Sequence, residues 1–131
     1  MQKRVVVAGG RDFWDYDTAK IFINFCISQI QTKYSLIFVS GGCRGADALG
    51  ERYAKEFHFP LERYPAEWKT HGKAAGPIRN QKMAEAGDYF ICFWDGKSRG
   101  TFSLILSVKR LKKPLKIKYY KNNGSTNQPR S

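Results

Sequence analysis

Three glycine-rich turns in the sequence combine residue types that bind anions. They read "AGGRDF" (8–13), "SGGCRGAD" (40–47) and "WDGKSRGT" (94–101), and the arginines in them are Arg11, Arg44 and Arg99. Glycine is needed where a backbone approaches a ligand closely or adopts a positive φ. A guanidinium group suits bidentate contact with phosphate or carboxylate. One such turn alone is typical of a tight turn with a surface arginine, but three indicate a phosphate-bearing, nucleotide-like ligand.

A fourth segment, "HGKAAGPIRNQKM" (71–83), carries more polar residues than a connector needs. Pro77 suits the first turn of a helix, because its missing N–H would be unpaired there. Arg79 and Asn80 fall in the same turn, where a cation opposes the helix dipole and so calls for an external partner. His71 and Trp68 are positioned to cover a base or ribose, and the alternatives are a plain loop histidine and an aromatic anchor for the loop.

The candidate ligand-binding residues share a place just after a strand or at the start of the next helix. They are Gly9, Gly10, Arg11, Asp12, Gly41, Gly42, Arg44, Gly45, Asp47, Trp68, His71, Arg79, Asn80, Asp95, Gly96, Ser98, Arg99, Gly100 and Thr101. The turns match neither the P-loop nor the GxGxxG pattern. The cysteines, at 26, 43 and 92, lack metal-ligand spacing, so we predict neither a metal nor a cofactor.

Strands and helices alternate along the chain in the way that would position these turns. Apolar runs predict strands at 4–8, 36–40, 61–65, 89–94 and 115–120. Between them, helical spacing of apolar residues predicts helices at 17–31, from 46 to about 57, at 77–86 and from 101 to about 111. The alternation predicts an α/β fold, a single Rossmann-like three-layer domain with a mostly parallel five-stranded sheet. Ligands of such sheets bind beyond the carboxyl ends of the strands, where the three turns fall.

Positive charge is concentrated at the end of the chain. The net charge is +12, yet residues 1–95 hold 13 Lys and Arg against 11 acids, whereas residues 96–131 hold 10 and no acid. We expect the domain to span 1–120 and 121–131 to be a polar, mobile tail. The basic block is typical of a solvated surface, or it binds nucleic acid weakly.

The motifs also carry a family resemblance. "GGRDF", "SGGCRGADALGERYA", "YPAEWKTHGKAAGPIRNQKM" and "WDGKSRGT" resemble the YpsA-related branch of the SLOG superfamily, over residues 3 to about 118. This Rossmann-like group includes the lonely-guy (LOG) phosphoribohydrolases and DNA-processing protein A. The resemblance implies a Rossmann-like domain that binds nucleotides or nucleotide-derived ligands, of a kind common in bacteria and phages.

The resemblance leaves catalysis open. LOG enzymes carry PGGxGTxxE, whose glutamate takes part in cleaving an N-glycosidic bond, and Leu104 stands at that position here. Cleavage of this bond calls for a placed acid or base. Asp12, Asp47 and Asp95 are the carboxylates left, with Asp47 and Asp95 as the catalytic candidates. Asp47 as a helix cap and Asp95 as a turn residue are the alternatives.

Three functions follow from these observations. The first is a sensor, carrier or sequestering protein for a nucleotide-derived small molecule. The second is a hydrolase of nucleotides or their N-glycosidic bonds, and the third is a nucleic-acid-binding module that uses the basic block. No apolar run or leader suggests a membrane, and unpaired cysteines fit a cytoplasmic protein. A homodimer is a further expectation, because Phe22 and Phe25 lie beyond the apolar stripe of their helix.

Overall fold

The computed structural model of the protein describes residues 1–121. Within these residues, five strands and five helices follow one another along the chain. The strands are β1 (Gln2–Gly9), β2 (Ser35–Ser40), β3 (Leu61–Arg63), β4 (Tyr89–Trp94) and β5 (Leu115–Tyr119). The helices are α1 (Tyr16–Ser28), α2 (Ala46–Glu56), α3 (Trp68–His71), α4 (Ala75–Ala86) and α5 (Arg99–Arg110), with a 3₁₀ turn at Gly72–Ala74 between α3 and α4.

The strands form one sheet in the order β3-β2-β1-β4-β5, and every neighbouring pair is parallel. Val5 pairs with Phe38 of β2 on one side and with Tyr89 of β4 on the other. The α/β, Rossmann-like prediction is confirmed, and the sheet is wholly parallel. The chain leaves β1 toward β2 and later returns to its other side as β4, so the topological switch point lies between β1 and β4.

Two apolar clusters cover the two faces of the sheet. Val5, Val7, Ile91 and Phe93 pack against α1 and α2, whereas Val6, Ala8, Phe90 and Cys92 pack against α4 and α5. Successive side chains of a strand point to opposite faces, so a run such as Val5–Val7 must be apolar throughout when both faces are covered. This arrangement gives the three layers expected from the sequence.

The element ends differ from the predicted ones for local reasons. Asp15 caps α1 by accepting from the Thr18 N–H at 3.1 Å, so the helix begins at Tyr16. The helix ends at Ser28, three residues before the predicted end. The helix predicted from Pro77 begins at Ala75, which puts the proline at its third residue, where a missing N–H costs little.

The exposed apolar residues of α1 are only in part the two that the sequence predicted. Phe22 packs against the core with its ring edge on Phe93, whereas Phe25 is 54% exposed beside Ile21, which is 70% exposed. The predicted homodimer therefore depends on Ile21 and Phe25 rather than on Phe22, and it stays a prediction.

Lys113 closes the end of α4. Its ammonium group donates to the carbonyl oxygens of Ala84, Glu85 and Gly87 at 2.7–2.9 Å. A cation at this place also suits the negative end of the helix dipole. One lysine of the basic block thus has a structural role. The tail predicted at 121–131 lies, beyond Lys121, outside the described residues. Within residues 1–121, no helix is long and apolar enough to cross a bilayer.

Candidate functional site

A cavity of about 470 Å³ opens at the carboxyl ends of β1 and β4, which is the switch point of the sheet. The turns after β1, β2 and β4 and the first turns of α4 and α5 form its walls. It is lined by Ala8, Gly9, Gly10, Arg11, Asp12, Cys43, Arg44, Asp47, Arg79, Asn80, Met83, Asp95, Ser98, Gly100, Thr101 and Leu104. The size suits a small ligand such as a nucleotide.

Twelve of the nineteen sequence-predicted site residues line this cavity. They are Gly9, Gly10, Arg11, Asp12, Arg44, Asp47, Arg79, Asn80, Asp95, Ser98, Gly100 and Thr101. Those outside the lining are Gly41, Gly42, Gly45, Trp68, His71, Gly96 and Arg99. The structure thus brings all four predicted segments to one place, but it leaves the aromatic cover and the third turn arginine outside.

Glycines around the cavity serve two different needs. Gly45 has φ +77°, and a Cβ there would lie 2.3 Å from the carbonyl oxygen of Gly10. This glycine therefore lets two turns pack on each other. Gly100 lies in the first turn of α5, and a Cβ there would have no neighbour within 4 Å. Packing does not require a glycine at this position. The missing side chain leaves open space beside the cavity.

Arg79 is buried, and its partners belong to the protein. Its guanidinium donates to the carbonyl oxygen of Gly41, to Oδ1 of Asn80 at 2.9 Å and to Sγ of Cys43 at 3.7 Å. The sequence argument called for an external partner, whereas the structure supplies internal ones. Asn80 in turn donates from Nδ2 to the carbonyl oxygen of Gly100 at 3.2 Å. These contacts fix the walls of the cavity relative to one another.

Asp47 is a buried carboxylate in the first turn of α2. It accepts from the backbone N–H of Cys43 at 3.2 Å and retains only 4% of its surface exposure. Burial raises the pKa of Asp47 to about 6, against the opposing effects of the Cys43 amide, the Arg79 charge and the Gly9 amide. A carboxyl group with this pKa exchanges a proton near neutral pH, which is a property of acid–base groups.

The two other cavity carboxylates are held by neighbours. Oδ1 of Asp95 accepts from the backbone N–H groups of Lys97 and Ser98, both at 2.8 Å, and so shapes the turn before α5. Oδ1 of Asp12 accepts from the hydroxyl of Tyr120 at 2.6 Å. Burial, followed by this hydrogen bond, raises the pKa of Tyr120 above its ordinary range. Asp95 therefore acts as a turn residue, which was the alternative to a catalytic role.

Sequence reasoning missed Ala8, Cys43 and Met83 in the cavity lining, and Tyr120, which contacts the lining residue Asp12. Tyr120 packs on Phe13 with ring centroids 4.8 Å apart, and its hydroxyl occupies the space a side chain at Gly10 would need. Nothing in the sequence pairs the end of the last strand with the first turn. Cys43 lies inside a quoted motif, but its position between the Gly41–Gly42 pair and Arg44 carries no chemical signature.

Trp68 and His71 lie apart from the main cavity. Trp68 is 52% exposed on α3 and faces Gly76. His71 lines a second cavity of about 340 Å³, together with Tyr64 and Lys82. Arg79 is the residue that lines both cavities. The role of Trp68 and His71 as a cover for a base or ribose stays a prediction, and it requires the α3 segment to move.

Positive charge surrounds the mouth of the main cavity. Arg11 and Arg44 are exposed at its rim, and α5 begins at Arg99 after Ser98, whose side chain makes no capping hydrogen bond. By contrast, α1 is capped by Asp15. Uncapped N–H groups at the start of a helix, with the positive end of its dipole, can bind a phosphate. Among residues 1–121, no three His, Cys, Asp or Glu side chains gather to hold a metal ion.

Comparison with known proteins agrees with this architecture. The model of the YAcAr family, described as the YspA, cpYpsA-related SLOG family, matches residues 3–71. The chain belongs to this SLOG family. The matched part of the SLOG domain contains the turns after β1 and β2, with Arg11, Arg44 and Asp47.

Two similar proteins extend the comparison beyond residue 71. The Gene 61 protein of Mycobacterium phage D29 is 35% identical over an alignment of 105 residues, and the match covers 76% of this chain and 82% of that protein. The X-ray structure of TM1055, a structural-genomics target, matches with a TM-score of 0.61 at 17% identity, over 88% of this chain and 72% of that one. The second likeness shows that the two proteins share a fold.

Proposed function

We propose that the SLOG domain binds a nucleotide or nucleotide-derived molecule in the cavity at the switch point, as a sensor, carrier or sequestering protein. The observation that carries the proposal is the combination of rim arginines with carboxylates deeper in one 470 Å³ cavity. A nucleotide-binding site needs both cations and hydrogen-bond acceptors, because the phosphate of a nucleotide is an anion and its ribose and base donate hydrogen bonds. Three free cysteines suit a reducing compartment, and we propose that this compartment is the cytoplasm.

The distribution of groups supports one orientation of the ligand. The phosphate would lie against the start of α5, beside Gly100 and Thr101, within reach of the side chains of Arg11 and Arg44. The ribose and base would then face Asp47, whose carboxylate can accept a hydroxyl or amino proton. Burial of Asp47 makes such a charge-assisted hydrogen bond stronger than one at the surface.

A thermal-shift screen of mononucleotides, cyclic nucleotides and NAD-related compounds tests the proposal. A ligand present at 100 times its dissociation constant should stabilise the folded protein by about 2.7 kcal/mol. Inorganic phosphate serves as the control, and it should stabilise less than a nucleotide, because it leaves the carboxylates without a partner. A panel in which no compound raises the melting temperature more than phosphate does would contradict the proposal.

Cys43 offers a direct probe of whether the cavity is occupied. It is partly exposed and lines the cavity, whereas Cys26 and Cys92 are buried and their thiol pKa values are raised by burial, to about 11 and about 12. Alkylation at pH 8 should therefore modify Cys43 first. We expect a ligand from the screen to slow this modification at least fivefold, as measured by intact mass. An unchanged rate would place the ligand elsewhere.

Arg44 at the rim and Arg99 outside the cavity lining make a matched comparison. Arg44→Ala should weaken a phosphate-bearing ligand about tenfold, which corresponds to about 1.4 kcal/mol, near the lower end of what a hydrogen bond to a charged group contributes. Arg99→Ala should have a smaller effect, because Arg99 is exposed and outside the cavity lining. Isothermal titration of both variants decides this, and a larger loss for Arg99→Ala would move the phosphate site outward along the 96–101 loop.

Hydrolysis of an N-glycosidic bond is the second candidate function, and the raised pKa of Asp47 favours it. The apolar side chain of Leu104 argues against the LOG reaction, since it lines the cavity where those enzymes carry a glutamate. Incubation with AMP and related monophosphates should therefore release no free base. Chromatography of the mixture measures this, with Asp47→Asn as the control. Release that the control abolishes would make the protein an enzyme that uses Asp47.

A further inference from the structure

The edge of the sheet opposite the cavity carries a row of lysines. Lys3 lies near the start of β1, Lys33 just before β2 and Lys112 before β5. We call these three residues the basic edge. Because the sheet is parallel, the starts of all its strands meet at this one edge. The basic edge therefore joins lysines from both ends of the sequence.

Two shared surroundings bring these lysines together. The ammonium groups of Lys3 and Lys33 lie 5.1 and 5.4 Å from the ring centre of Tyr34. Lys3 and Lys112 line one cleft of about 290 Å³ with Tyr89 and Pro114. The three lysines therefore lie beside one another along the starts of β2, β1 and β5, and β4 contributes Tyr89 between them.

None of the basic-edge lysines takes part in an ion pair within the described residues. The ion pairs of residues 1–121 involve Arg4, Lys20 and Arg63. The acid in the cleft, Asp88, accepts from the backbone N–H of Arg4 at 2.8 Å. Lys113 lies in the same cleft but is held by three carbonyl oxygens of the protein, so it is not part of the basic edge.

We propose that the basic edge binds the phosphate backbone of a nucleic acid, independently of base sequence. Four strands spaced about 4.8 Å apart make the row about 14 Å long. That length meets about four phosphates of one DNA strand, which are spaced about 3.4 Å along the duplex axis. A narrow row suits a linear polyanion, whereas a bilayer would meet a broad face. The site is separate from the nucleotide cavity and does not depend on it.

Fluorescence anisotropy with a labelled 20-nucleotide oligothymidylate and a 20-base-pair duplex tests the proposal. Three contacts to the duplex predict a slope of log affinity against log salt of about −2.7, so that affinity falls about 40-fold between 50 and 200 mM salt. In the variant with Lys3→Gln, Lys33→Gln and Lys112→Asn, affinity at 50 mM salt should fall at least tenfold. Asparagine is chosen at 112 because that residue has φ +56°.

Two matched variants separate this site from general charge and from the cavity. Lys69, Lys73 and Lys82 are exposed and lie away from the basic edge. Changing these three lysines to glutamine removes the same charge and should leave affinity within threefold. Arg11→Ala with Arg44→Ala, which alters the cavity rim, should also leave it within threefold. Equal losses in both lysine variants, or a loss confined to the arginine variant, would overturn the proposal. So would binding of wild type to vesicles with anionic lipid but to neither oligonucleotide.

Discussion

Asp47→Asn is expected to raise the free energy of unfolding at pH 7 by about 1–3 kcal/mol. The folded protein raises the pKa of this carboxyl from 3.8 to about 6, so holding it charged at neutral pH costs stability, at about 1.4 kcal/mol for each pKa unit. The attraction of Arg79 is already included in that balance, and burial outweighs it. Asparagine keeps an oxygen that can accept from the Cys43 N–H without the charge.

The pH dependence gives the same prediction a second readout. Between pH 4 and pH 6 the folded protein binds the Asp47 proton more tightly than the unfolded chain does, so this group makes stability fall as pH rises through that window. Arg4 and Arg63 hold the pKa values of Glu62 and Glu51 below the ordinary value, so those groups have the opposite effect below about pH 4.5. Because wild type and Asp47→Asn share those glutamates, the difference between their stability curves isolates Asp47.

Urea denaturation from pH 4 to pH 7 measures this difference. We expect it to be small at pH 4 and to grow until about pH 6.5. The same variant should bind a nucleotide at least tenfold more weakly, because it replaces a charged acceptor in the cavity with a neutral one. Stability that rises while binding falls would mark Asp47 as a residue retained for function. A variant less stable than wild type at pH 7 would contradict the argument from burial.

The sequence was sufficient to predict the layers of the fold, because its apolar patterns are local. The strand at 89–94 has the predicted ends, since "YFICFW" is bounded by Gly87 and by the turn at Asp95. The third strand ends at Arg63 rather than at residue 65, because only Phe38, Val39 and Ser40 of β2 pair with it. Strand length at an edge depends on its neighbour, which no local pattern reveals.

The position of the cavity was predictable from the sequence, but its lining was predictable only in part. Glycine turns at strand ends located the cavity, since parallel strands end at one edge. Whether an arginine in such a turn lines the cavity depends on the path of the loop, and so Arg11 and Arg44 line it whereas Arg99 does not. Arg79 was selected for an unfavourable charge at a helix start, but its carbonyl partner, Gly41, is 38 residues away in sequence. Tertiary partners of this kind override the local expectation.

Gly100→Ala is expected to separate stability from binding. The residue lies in the first turn of α5 with backbone angles that alanine can adopt, and a Cβ there meets no atom within 4 Å. Alanine should therefore raise the free energy of unfolding by about 0.4–1 kcal/mol, through the smaller entropy of its unfolded chain. If the phosphate of a nucleotide lies against this turn, the added methyl group takes part of its place. Affinity should then fall about tenfold for alanine and at least a hundredfold for Gly100→Leu.

Ser103→Ala is the matched control for this series. Ser103 lies one turn further along α5 and outside the cavity lining, so alanine there should favour the helix without affecting the ligand. Thermal denaturation and isothermal titration of the three variants give both quantities. Loss of affinity that grows with side-chain size at residue 100, with stability retained and Ser103→Ala unchanged in binding, would locate the ligand at the start of α5. If Gly100→Leu binds as well as wild type, no ligand group approaches this turn, and the phosphate must lie nearer to Arg11 and Arg44.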